Sequence, residues 1–482
     1  MNKNVFTYLV KSKKVLIGFV FVTMIALMMT PYLSSIHGHS YYTSWLIGYV
    51  LLIGCCFVLP AYLLRFIHSK KASDSYFSLP VSRSELLHTN LLFSMLITYC
   101  PFALGAIISG IIGISVRQAT AMDVMQILLS GLITVIVLNL VNSMFFSFAN
   151  TLFDGAVMIA AYTAMPLMVY IMLGVFMDSY VAGMNYWFGL SAIAEKISPL
   201  YLCATLFDSP LKKLQTIAIL AVYALIAYFM LRREIVDRKV ERAEQVSNHF
   251  FAYPFVIYFY AFTVLCMITF FWGGRDFLVF LREAVIYYLL LLVIFTIANF
   301  VYKRKVRLEP KTFVFFGISI LLSLCIGFAA NKTQGFGISR MYDRHPKNIS
   351  YMYNDSLGND AVRELGLKGD YVSVWFDLRI PSKEIGDPKY SEAIAIMEKN
   401  RESAIRDFYS VKETDYSMTG NLRIECNYQE SVTGRIVDGD NIFNYTVYDH
   451  LDLEELAVIS KVTEVTVMTD DGAYNLADLI EK

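Results

Sequence analysis

Charge is what this sequence has least of. Asp, Glu, Lys and Arg make up 17% of its 482 residues, where a soluble globular domain carries about a quarter. Hydrophobic residues reach 56%, and the mean hydropathy is +0.50. Such a chain belongs to the membrane class. Cysteine chemistry is thin as well. Most of the seven, Cys55, Cys56, Cys100, Cys203, Cys266, Cys325 and Cys426, lie in or beside apolar runs, where Cys acts as a small hydrophobe. Only Cys426 lies beyond residue 330, so no disulfide forms within that part, and no paired spacing suggests zinc. Catalytic signatures are missing too: no GxxxxGK[ST] to wrap a nucleotide's phosphates, and no GxGxxG, HExxH or GxSxG. The chain is therefore read as no enzyme, with no cofactor.

What charge there is, is divided. Residues 1–330 hold 24 Lys and Arg against 14 Asp and Glu, and residues 331–482 hold 17 against 27. A basic membrane part is joined to an acidic soluble part, and neither suggests nucleic acid as a partner. About 20 apolar residues cross a bilayer. Nine stretches meet that test: Val15–Leu33, Ser44–Leu64, Leu91–Val116, Val124–Phe148, Gly155–Val175, Leu214–Leu231, Ala252–Trp272, Ala284–Tyr302 and Thr312–Ala330. The first is long, lacks a small-x-small exit and reads as a span rather than a cleaved leader. With the amino terminus inside, the inner segments carry 18 Lys and Arg and the outer ones six. Basic residues stay on the cytoplasmic side, so an odd number of spans leaves the acidic tail outside the cell.

One polar insert interrupts the apolar blocks early, RFIHSKKASDSYFSLPVSRSELLHTN from Arg65 to Asn90. Pro80 breaks the chain there, and Ser82-Arg83-Ser84-Glu85 has the form of a capping box. Leu86, Leu87, Leu91 and Leu92 then form an apolar stripe leading into the third span. The insert reads as a cytoplasmic docking element that receives force from a partner protein; the other reading is a helix resting in the headgroups. The opening stretch, with Val5, Tyr8 and Leu9 on one side, predicts an interfacial helix. Residues 176–213 are too apolar for a free loop and too broken by Gly189 and Pro199 for a span, which suggests short helices dipping into the outer leaflet. After the sixth span, LRREIVDRKVERAEQ reads as that helix continuing inward, with Arg233–Asp237 and Glu234–Arg238 as i, i+4 pairs.

Other candidates read as structure. His37 and His39 lack the carboxylate or Cys support of a metal site, and Asp438, Asp440, Glu454, Glu455, Asp470 and Asp471 lack calcium-loop spacing. Asn139, Asn142, Ser143 and Asn299 inside spans suit helix-to-helix hydrogen bonds, and Ser109 with Gly113 gives small-xxx-small spacing. In the tail, alternation over Tyr371–Ile380 predicts a strand with Val372, Val374, Phe376, Leu378 and Ile380 inward. Ser391–Tyr409 has helical period, Asn421–Tyr428 and Asn441–Tyr448 read as strands, and the carboxyl end as strand, turn and short helix. The fold expected is an all-α polytopic membrane protein of about nine transmembrane helices with a C-terminal extracytoplasmic α+β domain.

An interfacial amino-terminal stretch, two spans and an insert containing SLPVSR together resemble the ABC-2-type exporter permeases of bacteria. The resemblance covers about residues 1–245. It implies that a separate ABC ATP-binding subunit docks on the segment Ser78, Leu79, Pro80, Val81, Ser82 and Arg83, continued to Glu85 by the capping box, and that the permease pairs with a second copy or a second permease. Three additional transmembrane helices over 246–330 and the outer domain over 331–482 resemble a Gram-positive branch of permeases from acetoin-use and envelope-stress operons. That branch implies export of an amphipathic, peptide-like or envelope-related compound. A different class of function, a sensor or scaffold whose outer domain binds an envelope ligand, fits the size of the tail.

Overall fold

A computed structural model of the chain describes residues 3–34, 41–183, 196–207, 210, 213–247, 249–272, 277–303, 310–337, 348–357, 359–367, 372–384, 386–410, 420–427, 441–447, 451–469 and 472–480. His37, His39, Asp438, Asp440, Asp470, Asp471 and much of the 176–213 segment lie outside the described residues.

Each apolar stretch is helical. The helices are α1 (Lys3–Ser12), α2 (Lys14–Ser34), α3 (Tyr41–Leu64), α4 (Lys70–Phe77), α5 (Arg83–Ser115), α6 (Ala121–Ser147), α7 (Leu152–Tyr180), α8 (Pro199–Thr205), α9 (Leu214–Val236), α10 (Tyr253–Trp272), α11 (Phe277–Lys303) and α12 (Pro310–Lys332). Among the described residues eight are long and apolar enough to cross a membrane, and α1 with α2, bent by 70°, makes a ninth if that pair is one span. These lengths and compositions are compatible with a multi-pass membrane protein.

The chain divides into two compact units. Met1–Leu167, Ala194–Phe259 and Ala298–Val306 form the first. Here α2, α3, α5, α6 and α9 pack around a core that includes Met28, Leu52, Phe102 and Val135. Polar residues stitch the helices. Ser94 donates to Asn139 Oδ1 (2.6 Å), and Asn139 and Asn142 donate to Cys56 Sγ and its carbonyl oxygen. Tyr49 donates to the Cys203 carbonyl and meets Thr134, and Trp45 donates to Ser109. Asn139, Asn142 and Ser109 are thus helix-linking groups. Ser143 Oγ is buried without such a bond.

Met168–Ile193, Tyr260–Ile297 and Arg307–Lys482 form the second unit. Its C-terminal part is built on an antiparallel sheet of β1 (Asn348–Ser356), β2 (Ser373–Pro381), β3 (Gly420–Asn427), β4 (Asn441–Val447), β5 (Val465–Thr469) and β6 (Gly472–Asn475), ordered β4-β3-β1-β2-β5-β6. Tyr351 of β1 faces Leu378 of β2 and Ile424 of β3. The expected inward residues of β2 are all buried, and Ser373, Asp377 and Arg379 lie on the other face. Helix α14 (Pro388–Ser410, after α13 at Asn359–Glu364) brings Ala393, Met397, Ala404 and Ile405 to the same core. Helices α15 (Leu453–Ser460) and α16 (Leu476–Ile480) add Leu456, Ile459 and Leu476.

The sheet's unit also grips the end of α7. Ala182 belongs to the sheet's core, Tyr409 donates to the Tyr180 carbonyl (2.6 Å), and Tyr445 covers Gly183, whose φ of +81° suits glycine. On the other side, Phe336 stacks on Phe176 at 5.9 Å, and Gly335 (φ +67°) leaves room for the backbone of Tyr180.

Candidate functional site

The expected docking segment is an exposed turn between two helices. Helix α4 ends at Phe77, where the Ser78 amide bonds to Asp74, and Pro80 cannot donate to a continued helix. Val81 N closes back on Leu79 O (2.7 Å), so the chain reverses tightly. Ser78, Leu79 and Pro80 are exposed, Leu79 at 42%. Ser82 then starts α5 by the expected capping box: the Glu85 amide donates to Ser82 Oγ (3.2 Å), and the Ser82 amide donates to Glu85 Oε2 (3.4 Å). Leu86, Leu87 and Leu91 are buried as the stripe requires, whereas Leu92 is 38% exposed because it falls off the packed face.

Arg83 anchors the turn. Its guanidinium lies 4.5 Å from the Phe77 ring centre, and Nη1 donates to the carbonyls of Val236 (2.9 Å) and Arg238 (2.7 Å). These carbonyls lie at and just past the end of α9, which continues beyond the expected span end at Leu231 but only as far as Val236. The expected Arg233–Asp237 and Glu234–Arg238 pairs therefore do not form on a helix: Asp237 is its C-cap, and Glu234 pairs instead with His249 (3.1 Å). Arg238, 3% exposed, turns inward. It donates to the carbonyls of Ser147 and Ala149 (both 2.9 Å) and to Asn150 Oδ1 (3.1 Å), satisfying the end of α6. Burial draws the Arg238 guanidinium down to about 10, with Glu234 pulling the other way, so it keeps its charge at neutral pH.

Glu244 completes the anchor. It holds φ +66°, a strained value for this residue. Its amide donates to Asn150 O (2.9 Å), while its Oε1 accepts from the Lys70 amide (3.2 Å) at the start of α4. A carboxylate at a helix amino terminus is favourable. Segments 69–85, 147–150 and 236–247 thus form one polar knot, joined by Ser247 Oγ donating to Phe148 O (2.7 Å).

The turn faces a groove of about 510 Å³ whose far wall is α1. Asn4, Val5 and Tyr8 line that wall, and Ser75, Tyr76, Leu79, Pro80 and Val81 the near one. Val5 and Leu9 are buried as expected, but Tyr8 is 59% exposed at the groove's edge. Burial, then Tyr8, raises the Tyr76 phenol above its ordinary range, and Arg65 offsets part of the rise. Phe66 stacks on Tyr76 at 4.5 Å and fixes α4 to the end of α3.

Comparison with family models, with curated proteins and with solved structures returns no match. Sequence reasoning brought Ser78 to Glu85 forward and missed Arg238, Asn150 and Glu244. Arg238 had a signal, an arginine just past a helix end, but the pairing rule assigned it to Glu234. No metal-binding cluster occurs among the described residues.

Proposed function

We propose that the chain is the membrane subunit of an ATP-driven transporter of the ABC-2 exporter type, energised by a separate ATP-binding subunit. The observation that carries this reading is the exposed Ser78-Leu79-Pro80 turn, tied by Arg83 to the end of α9 and through Arg238 to the end of α6. A push on such a turn is delivered to several apolar helices at once rather than absorbed by a loop. The basic bias of the connections supports a cytoplasmic position for the turn and an outer position for the acidic tail. In this reading residues 1–245 form the permease core, 246–330 add three spans, 331–482 form an extracytoplasmic α+β domain, and two permeases pair in the cell membrane. An amphipathic, peptide-like or envelope-related compound is the expected cargo.

Replacing Ser82–Glu85 by a Gly/Ser linker tests the docking role: a P-loop ATPase that co-purifies with the wild type should be lost, and its retention would overturn the assignment. A second reading, a sensor without transport, is favoured by the tail's grip on Tyr180–Gly183, which ties an outer domain to a membrane helix. Deleting residues 331–482 separates the two, since an exporter keeps coupled ATPase activity and a sensor loses its ligand response.

A further inference from the structure

A second cavity, of about 370 Å³, lies near the docking turn, bordered by the α1–α2 bend and the end of α3. Its size falls in the range of small-ligand sites. Two cations border it. Lys13 Nζ sits 4.8 Å from the centre of the Tyr62 ring and 3.3 Å from its hydroxyl, and Arg65 Cζ sits 4.7 Å from the same ring. Among the described residues neither cation is in an ion pair. Glu244, tied to this corner, is committed to the Lys70 amide. Lys13 and Arg65 both line the cavity, so an anion bound in it meets two positive charges.

The rest of the lining suits a headgroup. Ser69 offers a hydroxyl, and Ser69 makes no side-chain cap bond to α4. His68 is 4% exposed, and neither of its ring nitrogens makes a well-formed hydrogen bond, the polar backbone nearby being that of Phe146 and Asn150. Leu9 and Leu63 give the cavity an apolar wall. The position matters as much as the chemistry. Lys13 stands at the 70° bend of α1 on α2, and Arg65 just past α3, each at the end of an apolar run. Basic pockets at that depth select anionic lipid.

We propose that this pocket binds a phosphate-bearing anion, supplied by the headgroup of an anionic phospholipid. The inference stands apart from the transporter reading, since it needs no ATPase. The test uses the full chain in phosphatidylcholine nanodiscs, with phosphatidylglycerol added stepwise and thermal stability as readout; a parallel arm titrates inorganic phosphate without phosphatidylglycerol. Stabilisation should saturate with phosphatidylglycerol. Its half-point should shift about fivefold in Lys13→Gln or Arg65→Gln and about thirtyfold in the double variant. Lys13→Arg should retain binding, which separates lost charge from misfolding. Lys70→Gln/Lys71→Gln, on the exposed side of α4, should change nothing. A variant-sensitive response to inorganic phosphate alone would support the anion site and overturn the lipid source. Equal half-points in wild type and double variant, or an equal loss in the Lys70/Lys71 variant, would overturn the site.

Discussion

Nη1 of Arg83 lies 2.7 Å from the main-chain carbonyl oxygen of Arg238, so the first residue of one apolar helix holds the chain just beyond another. Arg83 is half-exposed and Arg238 is buried, and this difference sets different outcomes for the two. Arg83→Ala hands two carbonyls back to water, and stability should fall by only about 1 kcal/mol. Co-purified ATPase should fall far more, because the turn loses its anchor. Arg83→Lys should restore only part of the loss, since an ammonium can donate to the carbonyls but lacks the planar face that stacks on Phe77. Thermal unfolding and pull-down on the same samples check both halves.

Arg238→Met behaves in the opposite way. It strands the carbonyls of Ser147 and Ala149 and the Asn150 amide oxygen inside the knot, and unpaired buried acceptors are costly. The loss expected is about 2–4 kcal/mol, read as a lower melting temperature in detergent, whether or not an ATPase is present.

The capping box separates sequence from charge. Ser82→Ala removes the acceptor of the Glu85 amide and should cost about 1 kcal/mol. Glu85→Gln keeps the reciprocal bond, because Gln serves at that position, and should be close to neutral. Hydrogen exchange of the first turn of α5 distinguishes the two.

Tyr445 covers Gly183 where the C-terminal sheet meets the end of α7. A Cβ on Gly183 meets the Tyr445 ring and is also strained by φ +81°. Gly183→Ala should therefore destabilise the tail by about 2 kcal/mol or more, and Tyr445→Ala in the same chain should recover the steric part only. Tyr409→Phe loses one hydrogen bond and should cost about 1 kcal/mol. Protease sensitivity of residues 420–447 reports all three, and additivity in the double variant would contradict direct contact.

Tyr353 gives the tail an alkaline limit. Its hydroxyl donates to Asp355 Oδ2 at 2.6 Å inside the core, and burial, then Asp355, pushes its phenol well above the ordinary tyrosine range. A raised folded-state value means the stabilisation is complete below about pH 10 and is lost as pH rises above it. Tyr353→Phe should flatten that loss in an unfolding series from pH 8 to 11.

The helices were legible because long apolar runs mark them: eight of the expected spans fall on helices long and apolar enough to cross a membrane, and the first falls on the bent pair α1–α2. Strand β2 was legible by its alternation. Central strand β1 was not, although Ile349, Tyr351 and Tyr353 alternate, because Asn348, Ser350, Asn354 and Asp355 gave the stretch the composition of a loop. Asp355 is buried there with Tyr353 and the Ser356 amide as hydrogen-bond donors. At the candidate site the capping box could be read from four residues in a row. The Arg83–Arg238–Asn150 chain could not, since its partners are more than 60 residues apart and, Asn150 Oδ1 aside, bind through backbone carbonyls that carry no sequence mark.

The most direct measurement of the central claim is labelling with a membrane-impermeant maleimide in a cysteine-free chain carrying Leu79→Cys or, separately, Asn421→Cys on the exposed side of β3. The account predicts that Leu79→Cys is protected in intact cells and labelled once they are opened, while Asn421→Cys is labelled from outside. Labelling of Leu79→Cys from the exterior would contradict it, because no cytosolic ATPase can dock on a turn that faces away from the cytosol.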